Sequence, residues 1–194
     1  MTPYLEQRRA ELVRVYRDGL LGDVIPFWLR HGMDPVNGGI RTALGRRGEL
    51  LDTDKSVWFQ GRAAWTFANL FNTVERRPEW LAAALSCAEF LHGRCADASG
   101  KLHFTVTAEG DPLRMRRYVF SECFAAIGFG AVHRATGDER WRTRALAAFE
   151  TFLRFQREPG RIAPKVSPAT RPSKGLSPLD RKSTRLNSSH SSVS

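Results

Sequence analysis

The stretch KSVWFQGRAAWTFANLF, residues 55–71, sets aromatic side chains at helical spacing and places one arginine, Arg62, among them. Its period predicts a helix from about Lys55 to Val74, with Thr53 or Asp54 as N-cap. Trp58 and Arg62 stand at i and i+4 and so share one face of that helix. The residues alone leave two readings of Arg62 open. A structural arginine runs its stem along apolar surface or pairs with a carboxylate. A functional one clamps an anion or sugar hydroxyls at the mouth of a pocket. Lys55 reads as a surface residue at the helix start.

Upstream, residues 4–20 form a first helix with a broad apolar stripe of Leu5, Leu12, Val13, Val15 and Tyr16. VIPFWLRHG (24–32) continues helically after Pro26, DPVNGG (34–39) is turn chemistry, and GIRTAL (39–44) is a short strand candidate. Downstream, Pro78 suits the first turn of a helix over about 78–94. KLHFTVTAEGDPLRM (101–115) alternates like a strand and then turns. A further helix spans roughly 118–135, and TGDE (136–139) opens one that ends near Arg157.

A shift of 61 residues superposes the two later helices on the two before them: Phe59 falls on Phe120, Ala64 on Ala125, Trp80 on Trp141, Leu85 on Leu146 and Glu89 on Glu150. A helical hairpin cannot bury both faces alone, so repeated hairpins stack. The fold class is therefore all-α, an α/α solenoid or toroid of repeated hairpins with short β segments in the loops. In a toroid the first helix of each pair, here 55–74 and 118–135, lines the inside. The starts of these inner helices read DTDKSVWFQGR and RRYVFSEC, polar for helices otherwise so apolar, with Phe120 and Glu122 in the first turn of the second. One aromatic and one charged group from each start is what a sugar wants: flat apolar stacking plus fixed hydrogen-bonding forks. Each also has a plain structural reading, Trp58 and Phe120 as core aromatics and Glu122 as the buried partner of Arg116 or Arg117.

The net charge of +10 does not amount to a nucleic-acid signal. Residues 161–194 carry seven Lys/Arg against one Asp, while residues 1–160 are mixed in sign, with 23 basic and 19 acidic side chains. No basic stripe or recognition motif accompanies them, so no nucleic acid is expected. Cys87, Cys95 and Cys123 match no metal-ligand spacing, and free cysteine in an apolar helix behaves as a small hydrophobe. No metal site is expected, and a reducing, cytoplasmic setting fits. The N-terminus is charged at once, and no run approaches the roughly 18 apolar residues of a membrane helix. No membrane association is expected.

KSVWFQGRAAW, VFSECF and HRATGDERW, in that order and spacing, resemble the N-acylglucosamine 2-epimerases, also called renin-binding proteins. PFWLRHGMDPVNGGI before them and PKVSPATRPSKGLS after them are similar too, so the resemblance runs from about residue 10 to 177. VWFQGR with a later FSECF is fairly specific to the acylglucosamine branch. Cellobiose epimerases and aldose–ketose isomerases keep the fold and the arginine and vary the surrounding word.

That resemblance implies an (α/α)6 barrel with the sugar at the inner-helix ends, of which residues 1–177 would be the N-terminal, incomplete part. It implies proton removal and return at C2 of a ring-opened N-acetylhexosamine, interconverting the gluco and manno epimers, without a required cofactor. The C2 proton lies α to the aldehyde carbonyl, and its return on the other face needs a second acid/base group. In the family that pair is two histidines from the second half of the barrel. None of His31, His92, His103 and His133 corresponds to them, and His190 lies in the tail. The family's arginine falls on Arg62, where a guanidinium can hold O1 or O5 and stabilise developing negative charge. Trp58 and Phe120 match pocket-wall positions, and Glu122 is a polar contact. ATP or another nucleotide as activator, and a homodimer, come with the same resemblance.

After RPSKGLSP the family would begin another inner helix, whereas this chain reads LDRKSTRLNSSHSSVS. Residues 178–194 are expected to be a disordered Ser-rich tail, resembling translated adapter or vector sequence at a truncated frame. A chain without the two histidines is expected to lack epimerase activity by itself. Two alternatives stand beside this reading: another aldose or disaccharide epimerase or isomerase of the superfamily, and a non-catalytic helical-repeat binding protein in which Arg62 serves a protein interface.

Overall fold

The computed structural model describes residues 2–114 and 119–158. Thr2 caps α1 (Pro3–Gly19), its hydroxyl accepting from the Leu5 amide, and Pro3 occupies the first turn, where a missing N–H costs nothing. The predicted apolar stripe is present on α1, yet none of its residues is buried.

The helical path survives Pro26. Proline has no N–H to continue the ladder, and the chain absorbs the loss in a π-helical turn, Leu20–Val24, where the Ile25 amide reaches back to the Leu20 carbonyl. α2 (Ile25–Phe27) and a second π turn, Trp28–Gly32, complete the segment.

The expected strand over 39–44 shrinks to β1 (Ala43–Leu44), which pairs antiparallel with β2 (Leu50–Asp52); Ile40 makes only an isolated bridge to Met33. β3 (Lys55–Ser56), β4 (Thr105–Val106) and β5 (Pro112–Arg114) form a small antiparallel sheet in that order. It joins the loops in front of the two inner helices.

Four longer helices follow: α3 (Val57–Thr73), α4 (Pro78–Arg94), α5 (Phe120–Thr136) and α6 (Glu139–Arg157). α3 starts two residues later than the sequence predicts because Lys55 and Ser56 pair with Val106 and Thr105. Ser56, not Thr53 or Asp54, is the N-cap, and it makes no side-chain cap. The Phe104 carbonyl takes the Val57 N–H instead, at 3.0 Å, so the sheet supplies the cap.

α3 packs on α4 and α5, and α5 packs on α6, giving two stacked hairpins. At the α3–α5 crossing a Cβ on Gly61 would lie 2.7 Å from the Phe124 carbonyl, and one on Gly128 2.8 Å from the Gly61 carbonyl. The two inner helices therefore approach backbone to backbone. The internal repeat is structural: Trp80 and Trp141 are both third residues of their outer helices and both are buried. It is not symmetric in burial. Leu85 packs against the core, while its counterpart Leu146 stays 47% exposed. The boundary expected at 177/178, the tail and His190 lie outside the described residues.

Candidate functional site

α3 buries most of its circumference: Val57, Gln60, Gly61, Ala64, Phe67, Ala68 and Phe71 are all enclosed. The remaining stripe runs through Trp58, Arg62, Trp65, Thr66 and Asn69, half-buried except for Arg62, which is exposed. Beside it lies the open stripe of α5, with Phe124, Ile127, Ala131 and Arg134. Asn72 donates to the Ala131 carbonyl at 3.0 Å and Arg134 to Asn69 at 3.3 Å, which ties the stripes together at their far end. At the near end stand Trp58 and Arg62.

Each letter of VWFQGR now has a place. The Gln60 amide is wholly enclosed and grips the backbone of Ile40 from both sides, donating to its carbonyl at 2.6 Å and accepting from its N–H at 2.8 Å. That grip needs Gly39, whose Cβ would sit 2.5 Å from the Gln60 oxygen and whose φ is +73°. Gly61 permits the helix crossing, and Phe59 packs against Trp28 at 5.3 Å. Five positions build the fold or a wall; the sixth, Arg62, points outward with its guanidinium 5.5 Å above the Phe124 ring. Among the described residues no carboxylate lies within ion-pair distance of it.

Trp58 meets Phe104, Phe120 and Phe124 at centroid distances of 5.1, 5.6 and 5.6 Å, the first two edge-on. Its indole N–H donates to Ser121 Oγ at 3.0 Å. Phe120 is 9% exposed and joins Val119, Cys123 and Phe152 in a second core cluster. Trp58 thus joins Phe120 to Phe124, and Phe124, a residue the sequence reading did not single out, lies beneath Arg62.

Glu122 lies deeper. It is fully enclosed; its Oε1 binds Lys101 Nζ at 2.6 Å and accepts from the Leu102 N–H at 3.0 Å, while Oε2 has no hydrogen-bond partner among the described residues. The sequence paired Glu122 with Arg116 or Arg117, which lie outside the described residues. No local pattern points to Lys101, which lies 21 residues earlier in the chain.

Lys55 corrects an expectation outright. It is no surface residue: its ammonium is fully buried, bonded to Asp34 Oδ2 at 2.7 Å and to the carbonyls of Gly38 and Ala108 at 2.8 and 2.9 Å, and it lies 4.2 Å over Phe90. One cation thus pins the 34–39 turn, β3 and the turn between β4 and β5. Burial alone would raise the Asp34 carboxyl. The Lys55 hydrogen bond, the backbone N–H groups of Val36 and Asn37, and the Lys55 charge outweigh it and bring it down to about 2.

The histidines do not converge on this face as a pair. His31 packs on Phe27, His133 bonds the Asp138 carbonyl, and His103 is buried on the strand segment. His92 is exposed near Phe129; partial burial and then Arg144 and Arg140, against the opposing Glu89, lower its pKa. Burial pushes the thiols of Cys87 and Cys95 up to about 12, so neither is a nucleophile at neutral pH. No three His, Cys, Asp or Glu side chains gather as a metal site, and no helix is long and apolar enough to cross a membrane, among the described residues. An open hollow of 430 Å³ is lined by residues of α1.

Comparison with known proteins adds a family. The sequence model of the N-acylglucosamine 2-epimerase (GlcNAc 2-epimerase) family matches residues 38–173. N-acylglucosamine 2-epimerase from Homo sapiens is 36% identical over 177 residues, 86% of this chain and 42% of that protein. The Bos taurus enzyme is 36% identical over 159 residues, 78% of this chain and 38% of that protein. Among solved structures, cellobiose 2-epimerase from Spirochaeta thermophila superposes with a TM-score of 0.67 at 29% identity, over 78% of this chain and 37% of that one. The chain spans about two fifths of the length of the curated relatives it matches.

Proposed function

Because the chain belongs to the N-acylglucosamine 2-epimerase family, we propose that it contributes the sugar-holding half of an epimerase acting at C2 of N-acetylglucosamine and N-acetylmannosamine. The observation that carries this is Arg62: an exposed guanidinium without a described carboxylate partner, projecting beside a half-exposed Trp58 from the inner helix of a hairpin stack. A structural arginine would be expected to meet a carboxylate or a carbonyl. One whose contact among the described residues is an aromatic ring is available to a ligand.

In this reading the open-chain sugar lies against Trp58, with the buried Phe120 ring packed behind it, and Arg62 holds O1 or O5. When the C2 proton leaves, negative charge spreads onto the adjacent oxygen as an enediol-like intermediate, and the fixed guanidinium stabilises it. Return of the proton on the opposite face completes the inversion and requires two acid/base groups on opposite sides. Among the described residues no pair of histidines stands across this face; the family resemblance implies that those groups come from further repeats. Glu122 serves through its Lys101 ion pair, holding the strand segment against the start of α5. The reaction is acid–base chemistry and asks for no cofactor. Nucleotide activation, a homodimer and a cytoplasmic site of action accompany the reading on family grounds.

The test is titration of the 194-residue chain with N-acetylglucosamine, followed by NMR, together with an assay for N-acetylmannosamine. The expected result is weak binding that Arg62→Ala abolishes, with no turnover. Absence of binding by the unaltered chain would overturn the placement of the sugar. Turnover by that chain would overturn the assignment of the acid/base groups to other repeats. The structural likeness to a cellobiose 2-epimerase supports a second reading, in which the sugar is a disaccharide. Cellobiose binding in preference to N-acetylglucosamine would favour it.

A further inference from the structure

Ser121 is not among the residues that motif reasoning selects, yet its surroundings are the most directional at the site. It is 1% exposed, in the first turn of α5. Its Oγ lies 3.0 Å from the Trp58 indole nitrogen and 3.0 Å from the His103 carbonyl oxygen. An indole N–H can only donate and a carbonyl oxygen can only accept. The serine proton is therefore committed to His103, and a serine lone pair is committed to Trp58. The result is a one-way chain, Trp58 to Ser121 to His103, crossing from α3 through α5 to the strand segment before β4.

We infer that Ser121 is a positioning residue of the sugar-binding face: its hydroxyl fixes the rotamer of the Trp58 indole and, through Phe124, the place of the Arg62 guanidinium. The inference rests on the reading of Trp58 and Arg62 as sugar contacts. Phe104, Phe120 and Phe124 pack on Trp58, but ring packing alone does not choose which edge of the indole turns inward. A buried acceptor does choose, because only one orientation carries the N–H to it. Phe124 transmits the choice, since its ring touches Trp58 on one side and carries the Arg62 guanidinium at 5.5 Å. Without the hydroxyl, a half-exposed indole can turn its N–H out to water, which removes the edge-on contacts and shifts the ring under Arg62. The cost of ordering the wall would then fall on sugar binding.

The chain holds five tryptophans, so its indole N–H groups give a small, countable set of NMR signals. Trp58→Phe assigns the relevant one. Ser121→Ala is expected to move that signal, to speed its exchange with water about tenfold as the buried hydrogen bond is lost, and to weaken N-acetylglucosamine binding severalfold. The other four signals should stay in place. Ser121→Thr, which restores a hydroxyl, should return the Trp58 signal and the affinity. If Ser121→Ala proves too unstable to compare, Ser121→Thr against Ser121→Val, which fill similar space and differ in the hydroxyl, decides the question in the same way. An unmoved Trp58 signal in the variant without the hydroxyl overturns the inference. A moved signal with unchanged sugar affinity overturns its coupling to Arg62. If the unaltered chain shows no sugar response at all while Ser121→Ala still moves the indole, the sugar-binding reading falls and the hydrogen-bond chain stands.

Discussion

Lys55 and Arg62 flank the start of α3, seven residues apart, and their surroundings are opposite. The Lys55 ammonium is wholly enclosed and its three hydrogen bonds go to a carboxylate and two carbonyls. Arg62 is exposed over one aromatic ring. The Asp34 carboxylate opposite Lys55 is equally complete, since it also accepts from the Val36 and Asn37 amides and the Asn37 side chain. Every donor on the Lys55 side has an acceptor within the chain, so that cation is spent on holding three loops together. Among the described residues the Arg62 side has donors to spare. At one helix start, closure marks the scaffold and incompleteness marks the site.

Breaking the closed side should have the largest effect. Lys55→Met removes the cation and leaves Asp34 and two carbonyls buried without it. Loss of one partner of a buried pair costs about 3–5 kcal/mol. Urea unfolding of the variant should therefore show most of the stability gone. A loss below about 1 kcal/mol would mean that the node is not the lock described.

Acid should release part of the same lock. The Asp34 carboxyl lies at about 2 in the fold against an ordinary 3.8, so the unfolded chain takes up its proton at higher pH. Its contribution is complete above about pH 4 and is lost as pH falls toward 2, and a shift of this size corresponds to about 2 kcal/mol. Asp97 and Asp138 are lowered too, so the slope of stability against pH has several sources. Asp34→Asn should flatten that slope below pH 4 by the stated amount, read from urea midpoints across the range.

The contrast between Lys55 and Arg62 was hidden from the sequence for a physical reason. The helices α4 and α6 were legible almost to the residue, because Pro78 and Asp138 mark their starts and apolar period marks their length. The repeat was legible in Trp80 and Trp141. Lys55 was misplaced because its partners are 17, 21 and 53 residues away, and no local pattern reports that a lysine will meet two distant carbonyls and Asp34. Ser121, Phe124 and Gln60 were passed over for the same reason, since their roles arise only where α3 crosses α5 or meets Ile40. Trp58 packs on Phe120 and on Phe124, and Arg62 lies over Phe124. Glu122 lies beneath them, bound to Lys101.

That second lysine–carboxylate pair is intermediate between the two cases and should respond accordingly. Glu122 is as buried as Asp34 but uses only one of its oxygens among the described residues. Glu122→Gln keeps an acceptor for Lys101 Nζ and the Leu102 N–H and places an amide where Oε2 has no partner. The expected cost is about 1.5 kcal/mol, at the low end for a hydrogen bond to a charged group and smaller than that of Asp34→Asn. A cost equal to or above that of Asp34→Asn would show that the charge of Glu122, rather than its hydrogen bonds, holds Lys101.

The smallest structural effect should come from the residue with the largest functional one. Arg62→Ala removes an exposed side chain whose described contact is one ring at 5.5 Å, and substitutions of that kind usually change stability by no more than about 0.5 kcal/mol. Circular dichroism and urea melts of the variant should overlay those of the unaltered chain, while its N-acetylglucosamine titration goes flat. Arg62→Lys separates charge from shape: an ammonium keeps the cation but cannot present the planar fork to two oxygens, so it should recover folding fully and binding only in part. Should Arg62→Ala instead destabilise the chain by as much as Lys55→Met, the arginine is a second scaffold cation, and the exposed side of α3 loses its claim to the sugar.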